Sequence, residues 1–86
     1  MVARHIPGYR YCGPGTEDFT ATPRNRLDAA CRQHDLAYSQ AQGRLDRVQA
    51  DVKLYLAARA NRFRYPIASR IVETAMLTAP GVWYSG

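Results

Sequence analysis

The chain has 86 residues, which is enough for one domain with a thin hydrophobic core. A hydrophobic content of 47% excludes wholesale disorder, and no run of residues approaches the roughly 18 apolar positions of a membrane-spanning helix. The net charge of +5 rests almost entirely on arginine and favours anionic partners, namely acidic phospholipid, nucleic acid or an acidic protein surface, without choosing among them.

Residues 1–24 are predicted to form an ordered loop, because chain-breaking residues are dense there. The breakers are Pro7, Gly8, Gly13, Pro14, Gly15 and Pro23. Within 11–15, glycines at alternate positions allow the backbone to turn several carbonyls toward one point, and calcium is a hard cation that binds such oxygens well. A tight turn explains Gly-Pro-Gly without any metal, so this motif alone does not establish a calcium site.

A first helix is predicted over residues 25–42. Asn25 is the expected N-cap, and the acidic Asp28 lies three residues later, near the positive end of the helix dipole. Gly43 is the expected stop signal. The residues that recur at helical spacing on one face are Leu27, Ala30, Cys31, His34, Tyr38 and Ala41.

A second helix is predicted over residues 46–62. Asp46 and Gln49 have the pattern of a capping box at its start, with Asp46 as the cap. The short connection at residues 43–45 makes the first two helices antiparallel neighbours. The inward face of the second helix is expected to carry Val48, Val52, Tyr55, Leu56 and Phe63.

A third, shorter helix is predicted over residues 66–79, because Pro66 suits a first helical turn and apolar residues follow it at helical spacing. The segment 79–81 is expected to end this helix and to leave residues 82–84 as an aromatic tail. The predicted fold is therefore one all-α domain over residues 1–86.

His34 and Asp35 are adjacent on the first helix, so their side chains point about 100° apart and cannot form a hydrogen-bonded dyad. They can perform two different tasks, with Asp35 reaching a metal on one flank and His34 facing a substrate on the other. A lone histidine on a partly apolar face is also commonly a core residue, so the pair alone does not establish a site.

A histidine base needs an acceptor that fixes its far ring nitrogen, and geometry favours Asp51 over Asp46. His34 lies about 12 Å before the end of its helix, and Asp51 lies about 7.5 Å past Asp46 along the antiparallel partner. These levels differ by less than one turn, whereas Asp46 sits at the connection and is better placed as a cap. Tyr38 is one turn beyond His34, where its hydroxyl is able to donate to Asp51.

The joint pattern resembles the parvovirus-type phospholipase A2 family, which includes the lipase domain of parvovirus and densovirus minor capsid proteins. The pattern consists of a Y-x-G-x-G loop at 11–15, N-x-L-D-A-A-C at 25–31, H-D-x-A-Y at 34–38 and Ala-Asp at 50–51. The resemblance covers about residues 9–58. It implies calcium-dependent hydrolysis of the sn-2 ester of glycerophospholipids, which releases fatty acid and lysophospholipid.

The resemblance also implies roles for individual residues. Calcium would be bound by the carbonyls of Tyr11, Gly13 and Gly15 and by the carboxylate of Asp35. His34 would be the general base for the attacking water, and the Gly13 amide would help calcium to stabilise the oxyanion. Asp51 would orient His34, and Tyr38 would support Asp51.

The two cysteines, Cys12 and Cys31, permit either one disulfide or two buried thiols, and counting alone does not decide. Parvovirus-type members generally lack cysteine in this region. Secreted phospholipases A2 do carry a disulfide between the residue after the loop tyrosine and the residue three before the catalytic histidine. Because Cys12 and Cys31 occupy those two positions, the resemblance implies a disulfide that ties the loop to the first helix.

The expected partner is a phospholipid membrane surface, with anionic lipid favoured by the arginines, and no nucleic acid is expected because no recognised nucleic-acid motif is present. A non-catalytic lipid- or receptor-binding module on the same fold is the alternative to an enzyme. The resemblance suggests a location in the virion or outside the cell, and no signal peptide is visible at the N-terminus. Residues 64–86 are expected to form either an interfacial surface or a helix that completes the core or an oligomer contact, and the oligomeric state is not predicted.

Overall fold

The computed structural model describes residues 5–16 and 18–85, without the side chains of Tyr84 and Ser85. In this part of the chain the fold contains four helices and no strand: α1 (Arg26–Gln40), α2 (Arg44–Ala60), α3 (Pro66–Thr78) and α4 (Pro80–Ser85). The predicted all-α fold class is confirmed. Parts of two predicted segments, residues 1–4 and 17 of the loop and the Tyr84 side chain of the aromatic tail, lie outside the described residues.

Helix α1 begins at the predicted cap, because the Asn25 side-chain oxygen accepts a hydrogen bond from the Asp28 amide at 2.9 Å. It ends at Gln40 instead of residue 42, since Ala41 takes an extended conformation with ψ of 136°. The prediction that Gly43 stops this helix was wrong. Gly43 is the N-cap of the following helix.

Helix α2 begins at Arg44, two residues before the predicted start, so Asp46 is not its cap. Asp46 instead lies in the first turn and accepts a hydrogen bond from the Gln42 amide at 3.0 Å. An acid in this position is able to satisfy an amide that precedes the helix and to interact favourably with the helix dipole. The acidic residue was therefore a correct sign of a helix start, displaced by two positions.

The predicted inward face of α2 was wrong. Val48, Val52 and Leu56 are 43–57% exposed, and the buried side chains of α2 are Ala50, Leu54 and Ala58. The helix carries two apolar stripes on nearly opposite faces, and hydrophobic periodicity alone does not say which one is buried. The stripe with two alanines faces the core, and the stripe of larger aliphatic side chains faces solvent. Of the predicted set, only Tyr55 packs partly against the core.

Helix α3 begins with Pro66 in its first turn and buries Ala68, Ser69, Val72, Ala75 and Met76. The prediction that residues 82–84 form an aromatic tail after this helix was wrong, because they are helical. Pro80 instead starts the six-residue helix α4, because proline suits a first helical turn as well as it ends the helix before it. In α4, Trp83 packs partly buried against the core.

A disulfide between Cys12 and Cys31 joins the loop to α1. Both cysteines are buried in the core cluster that also contains Tyr11, Leu27, Leu54 and Val72. Closing a loop of 19 residues stabilises the folded state by about 3 kcal/mol, which is substantial for a domain of this size. None of the described helices is long and apolar enough to cross a membrane.

Candidate active site

Three side chains from α1 and α2 meet at one carboxylate oxygen. His34 Nε2 lies 2.8 Å from Asp51 Oδ1, and the Tyr38 hydroxyl donates to the same oxygen at 2.7 Å. His34 and Tyr38 are one helical turn apart, so their rings lie side by side with centroids 4.5 Å apart. Asp46, the other candidate for orienting His34, contacts the Gln42 amide instead.

The contact with Asp51 fixes how the imidazole is used. A carboxylate only accepts hydrogen bonds, so Nε2 carries the proton and Nδ1 keeps its lone pair in the neutral ring. Nδ1 is buried and has no hydrogen-bond partner among the described residues, since Asp35 Oδ1 is 3.6 Å away. The site therefore holds a basic nitrogen that is oriented, shielded and free to accept a proton.

Tyr38 remains a donor throughout the neutral pH range. Burial, together with the hydrogen bond to Asp51, raises the pKa of the Tyr38 phenol above its ordinary value. A phenol that stays protonated keeps donating to Asp51, which leaves that carboxylate aligned with the imidazole. Tyr38 thus supports the Asp51 carboxylate without titrating.

Asp35 is a buried carboxylate with an unused oxygen. It is 3% exposed, and Oδ2 has no hydrogen-bond partner among the described residues. Burial raises its carboxyl pKa, although the nearby side chains of His34 and Thr16 act in the opposite direction. An ionised carboxylate that is desolvated to this degree is stabilised by a cation beside it, so the residue fits a hard divalent metal.

The loop before α1 has the backbone geometry of a tight glycine turn. Gly13 has φ of 136° and Gly15 has φ of 87°, a region that residues with a Cβ rarely adopt. Nowhere in residues 5–16 and 18–85 do three His, Cys, Asp or Glu side chains gather in a possible metal cluster. A metal at Asp35 would therefore need backbone carbonyls to complete its ligands. The ligand roles of Tyr11, Gly13 and Gly15 stay predictions.

Asp28 performs a structural task that the sequence did not reveal. It is fully buried, and its Oδ1 accepts hydrogen bonds from the amides of Arg10, Tyr11 and Cys12 at 2.7–3.2 Å. Its Oδ2 accepts from the Arg24 amide at 2.9 Å. One carboxylate thus holds both ends of the loop segment against the start of α1. The available signal was its spacing from Cys31 and Asp35, which puts it on the buried side of the helix.

Replacing Asp28 by asparagine is expected to destabilise the domain by about 3 kcal/mol, because the new amide nitrogen is a donor facing backbone donors. Denaturant unfolding measures this loss. The matched control is Asp46→Asn. It removes the charge from an exposed carboxylate that also accepts a hydrogen bond from one backbone amide. An unfolding free energy that is equal in the two variants would contradict the role assigned to Asp28.

A cavity of about 270 Å³ lies beside His34 between α1 and α2. Alanines on both helices leave this space open, and most of its surface is apolar. The lining residues are Ala30, Gln33, His34, Ala37, Ala50, Lys53 and Leu54. An apolar cavity lined by an oriented imidazole and by one lysine suits an amphiphilic molecule with an anionic head.

The sequence of the chain is similar to sequences of known proteins. The family model for the phospholipase A2-like domain matches residues 2–74. The capsid protein VP1 of Diatraea saccharalis densovirus is 41% identical over 46 residues, which is 54% of this chain and 6% of the capsid protein. The minor capsid protein VP1 of bovine parvovirus 1 is 50% identical over 34 residues, which is 40% of this chain and 5% of that protein.

The matched segments thus span only a small fraction of these capsid proteins. No solved structure matches the chain at a significant level. The family model nevertheless covers the loop, α1, α2 and most of α3, and the resemblance expected from the sequence is confirmed. The chain belongs to the phospholipase A2-like domain family.

Proposed function

We propose that this chain is a calcium-dependent phospholipase A2, which hydrolyses the sn-2 ester of glycerophospholipids to fatty acid and lysophospholipid. The observation that carries the proposal is the imidazole of His34, whose Nε2 lies 2.8 Å from Asp51 while its buried Nδ1 has no hydrogen-bond partner among the described residues. This is the arrangement that a general base requires, with one nitrogen held by a carboxylate and the other available.

In the proposed reaction, His34 Nδ1 removes a proton from a water molecule as the water attacks the ester carbonyl. Asp51 keeps the imidazole in the required tautomer and stabilises the imidazolium that forms. Tyr38 holds Asp51 in position through its hydroxyl. The proton on Nδ1 then passes to the leaving alkoxide, which restores the neutral imidazole.

The cofactor in this proposal is Ca²⁺, held by Asp35 and by the carbonyls of Tyr11, Gly13 and Gly15. When bound, calcium would supply a Lewis acid for the ester oxygen. The unpartnered oxygen of the buried Asp35 and the left-handed glycines of the loop support this assignment. The Gly13 amide is proposed as the backbone donor to the oxyanion. The proposal also includes an antiparallel pairing of α1 and α2.

The proposal also includes the membrane on which the domain acts and the location of the protein. Its substrate is presented at a phospholipid membrane surface, with anionic lipid favoured by the net charge of +5. The relatives are named as capsid proteins, which supports a place in a virion, with an extracellular location as the alternative. The chemistry would then serve to breach or remodel a membrane.

A vesicle hydrolysis assay tests the proposal. With millimolar Ca²⁺, the protein is expected to release fatty acid from phosphatidylglycerol or phosphatidylcholine vesicles, and an excess of chelator is expected to abolish that release because the proposed oxyanion site is incomplete without the metal. The regiochemistry is checked by mass spectrometry of the lysophospholipid. Vesicle binding without any hydrolysis at any calcium concentration would favour a non-catalytic binding module.

A further inference from the structure

An apolar groove of about 430 Å³ lies between the N-terminal loop and the start of α3, and we name it the α3 groove. It is lined chiefly by Ile6, Tyr9, Tyr65, Pro66, Ile67 and Ile71. Ile67 is 77% exposed and Ile71 is 43% exposed. Large apolar side chains grouped at a surface mark an interaction site more often than a free face.

Arginines border this groove. Phe63, which is 87% exposed, has the Arg62 guanidinium 4.9 Å from its ring centroid. A second cleft, which contains Arg62, Phe63 and Arg70, adjoins the α3 groove through the shared residue Pro66. Among the described residues that line the two clefts, the one carboxylate is Glu73, and it lies 3.9 Å from Arg59. The rim is therefore basic.

The groove is continuous with the proposed calcium loop. The Ile6 amide donates to the Cys12 carbonyl at 2.8 Å, and the Tyr9 amide donates to the Ile6 carbonyl at 2.9 Å. Ile6 of the groove wall is thus fixed by a backbone hydrogen bond to the loop at residues 11–15, and Tyr9 is fixed in turn to Ile6. Whatever occupies the groove lies beside the loop proposed to bind the metal.

We propose that the α3 groove and its arginines form the surface by which the domain docks on an anionic phospholipid bilayer. This inference rests on the proposed function and adds the location of its membrane contact. Aromatic and aliphatic side chains flanked by arginines suit the boundary between headgroups and acyl chains, and each arginine near an anionic leaflet adds attraction. A second copy of the chain fits less well, because two molecules of charge +5 repel each other.

The outer face of α2 offers a matched comparison. Leu45, Val48, Val52 and Leu56 are also exposed and form a stripe on that helix. None of these four side chains is aromatic, and none lines the α3 groove. Removing apolar area from α2 therefore controls for a general loss of surface hydrophobicity.

The experiment measures co-sedimentation with vesicles in excess chelator, so that binding is separated from turnover. The groove variant is the double variant Phe63→Ser/Ile67→Ser, which removes one apolar side chain from each of the two adjoining clefts. It is expected to bind mixed phosphatidylcholine–phosphatidylglycerol vesicles about tenfold more weakly than the wild type. The control Val52→Ser/Leu56→Ser is expected to stay within about twofold of the wild type. Arg62→Gln and Arg70→Gln are each expected to weaken binding roughly fivefold on these vesicles, but not on pure phosphatidylcholine.

Three results would overturn the proposal: a greater loss in the α2 control, equal binding by the groove variant, or a wild-type dimer that the groove variant dissociates in sedimentation analysis. Hydrolysis of a monomeric short-chain phospholipid separates this inference from the proposed function. A correct surface predicts that the groove variant keeps that hydrolysis. If the wild type binds vesicles through the groove but hydrolyses neither substrate, the proposed function fails while the docking surface stands.

Discussion

Replacing His34 by alanine is expected to lower kcat for fatty acid release by about a thousandfold or more, because it removes the general base of the proposed reaction. The imidazole is the one described group whose basic nitrogen is both oriented by a carboxylate and without a partner. Asp51 does not replace it, since its Oδ1 also receives the Tyr38 hydroxyl and lies on the far side of the ring. The loss should appear in kcat, with KM nearly unchanged.

Calcium affinity separates this effect from general damage to the site. Isothermal titration calorimetry is expected to give His34→Ala a calcium affinity within about threefold of the wild type, because the imidazole is not a proposed ligand. Gln40→Ala, at the exposed end of α1, is the control for substitution in this helix and should retain normal turnover. Hydrolysis by His34→Ala within tenfold of the wild-type rate would remove His34 from the proposed role.

The level of Asp51 relative to His34 was predictable from the sequence because it depends on helix rise alone. A rise of 1.5 Å per residue along two neighbouring helices is enough to put Asp51 near the level of His34 and Tyr38. The distances of 2.8 and 2.7 Å to Asp51 depend in addition on the rotation of α2 about its axis, which the rise does not give. Local capping signals gave the correct starts of α1 and α3, since Asn25 and Pro66 are strong start signals.

The orientation of α2 was not predictable in this way. Its larger aliphatic stripe, with Val52 and Leu56, is more hydrophobic than the stripe of Ala50, Leu54 and Ala58, although both have helical spacing. Burial depends on which stripe fits the neighbouring elements, and that is a property of the whole fold. The exposed stripe is therefore a tertiary result that no local pattern encodes.

Asp28 shows a second limit of local patterns. An acid in a first helical turn is already explained by the helix dipole, so its position in the sequence predicts no further role. Its four amide donors come from residues 10–12 and from Arg24. The first three lie 16–18 positions earlier in the chain, so their meeting with Asp28 depends on how the loop folds back onto α1.

Replacing Asp35 by asparagine is expected to abolish both calcium binding and turnover. The substitution replaces two anionic oxygens by one neutral oxygen and an NH₂ donor, which a hard cation binds poorly. The two substitutions differ in whether calcium binding is lost together with turnover. In His34→Ala the metal still binds and the chemistry stops, whereas in Asp35→Asn the calcium affinity should fall by at least about a hundredfold.

Although Asp35→Asn loses calcium affinity and turnover, the same substitution should not lower the stability of the calcium-free protein. Because burial raises the pKa of Asp35, ionisation of this group opposes folding once the pH exceeds the ordinary carboxyl value of 3.8. Asparagine carries no charge, so the calcium-free variant is expected to be at least as stable as the wild type at pH 7.

In the presence of calcium the wild type should become more stable to unfolding than Asp35→Asn. At a calcium concentration of about 100 Kd the wild type gains about 2.7 kcal/mol of unfolding free energy. Asp35→Asn, with an affinity at least about a hundredfold weaker, gains less than about 0.5 kcal/mol at the same concentration. Thermal unfolding of both proteins with and without calcium measures the stability difference between them under each condition. A variant that is less stable without calcium, yet still stabilised by it, would mean that Asp35 supports the fold and that the metal is bound elsewhere.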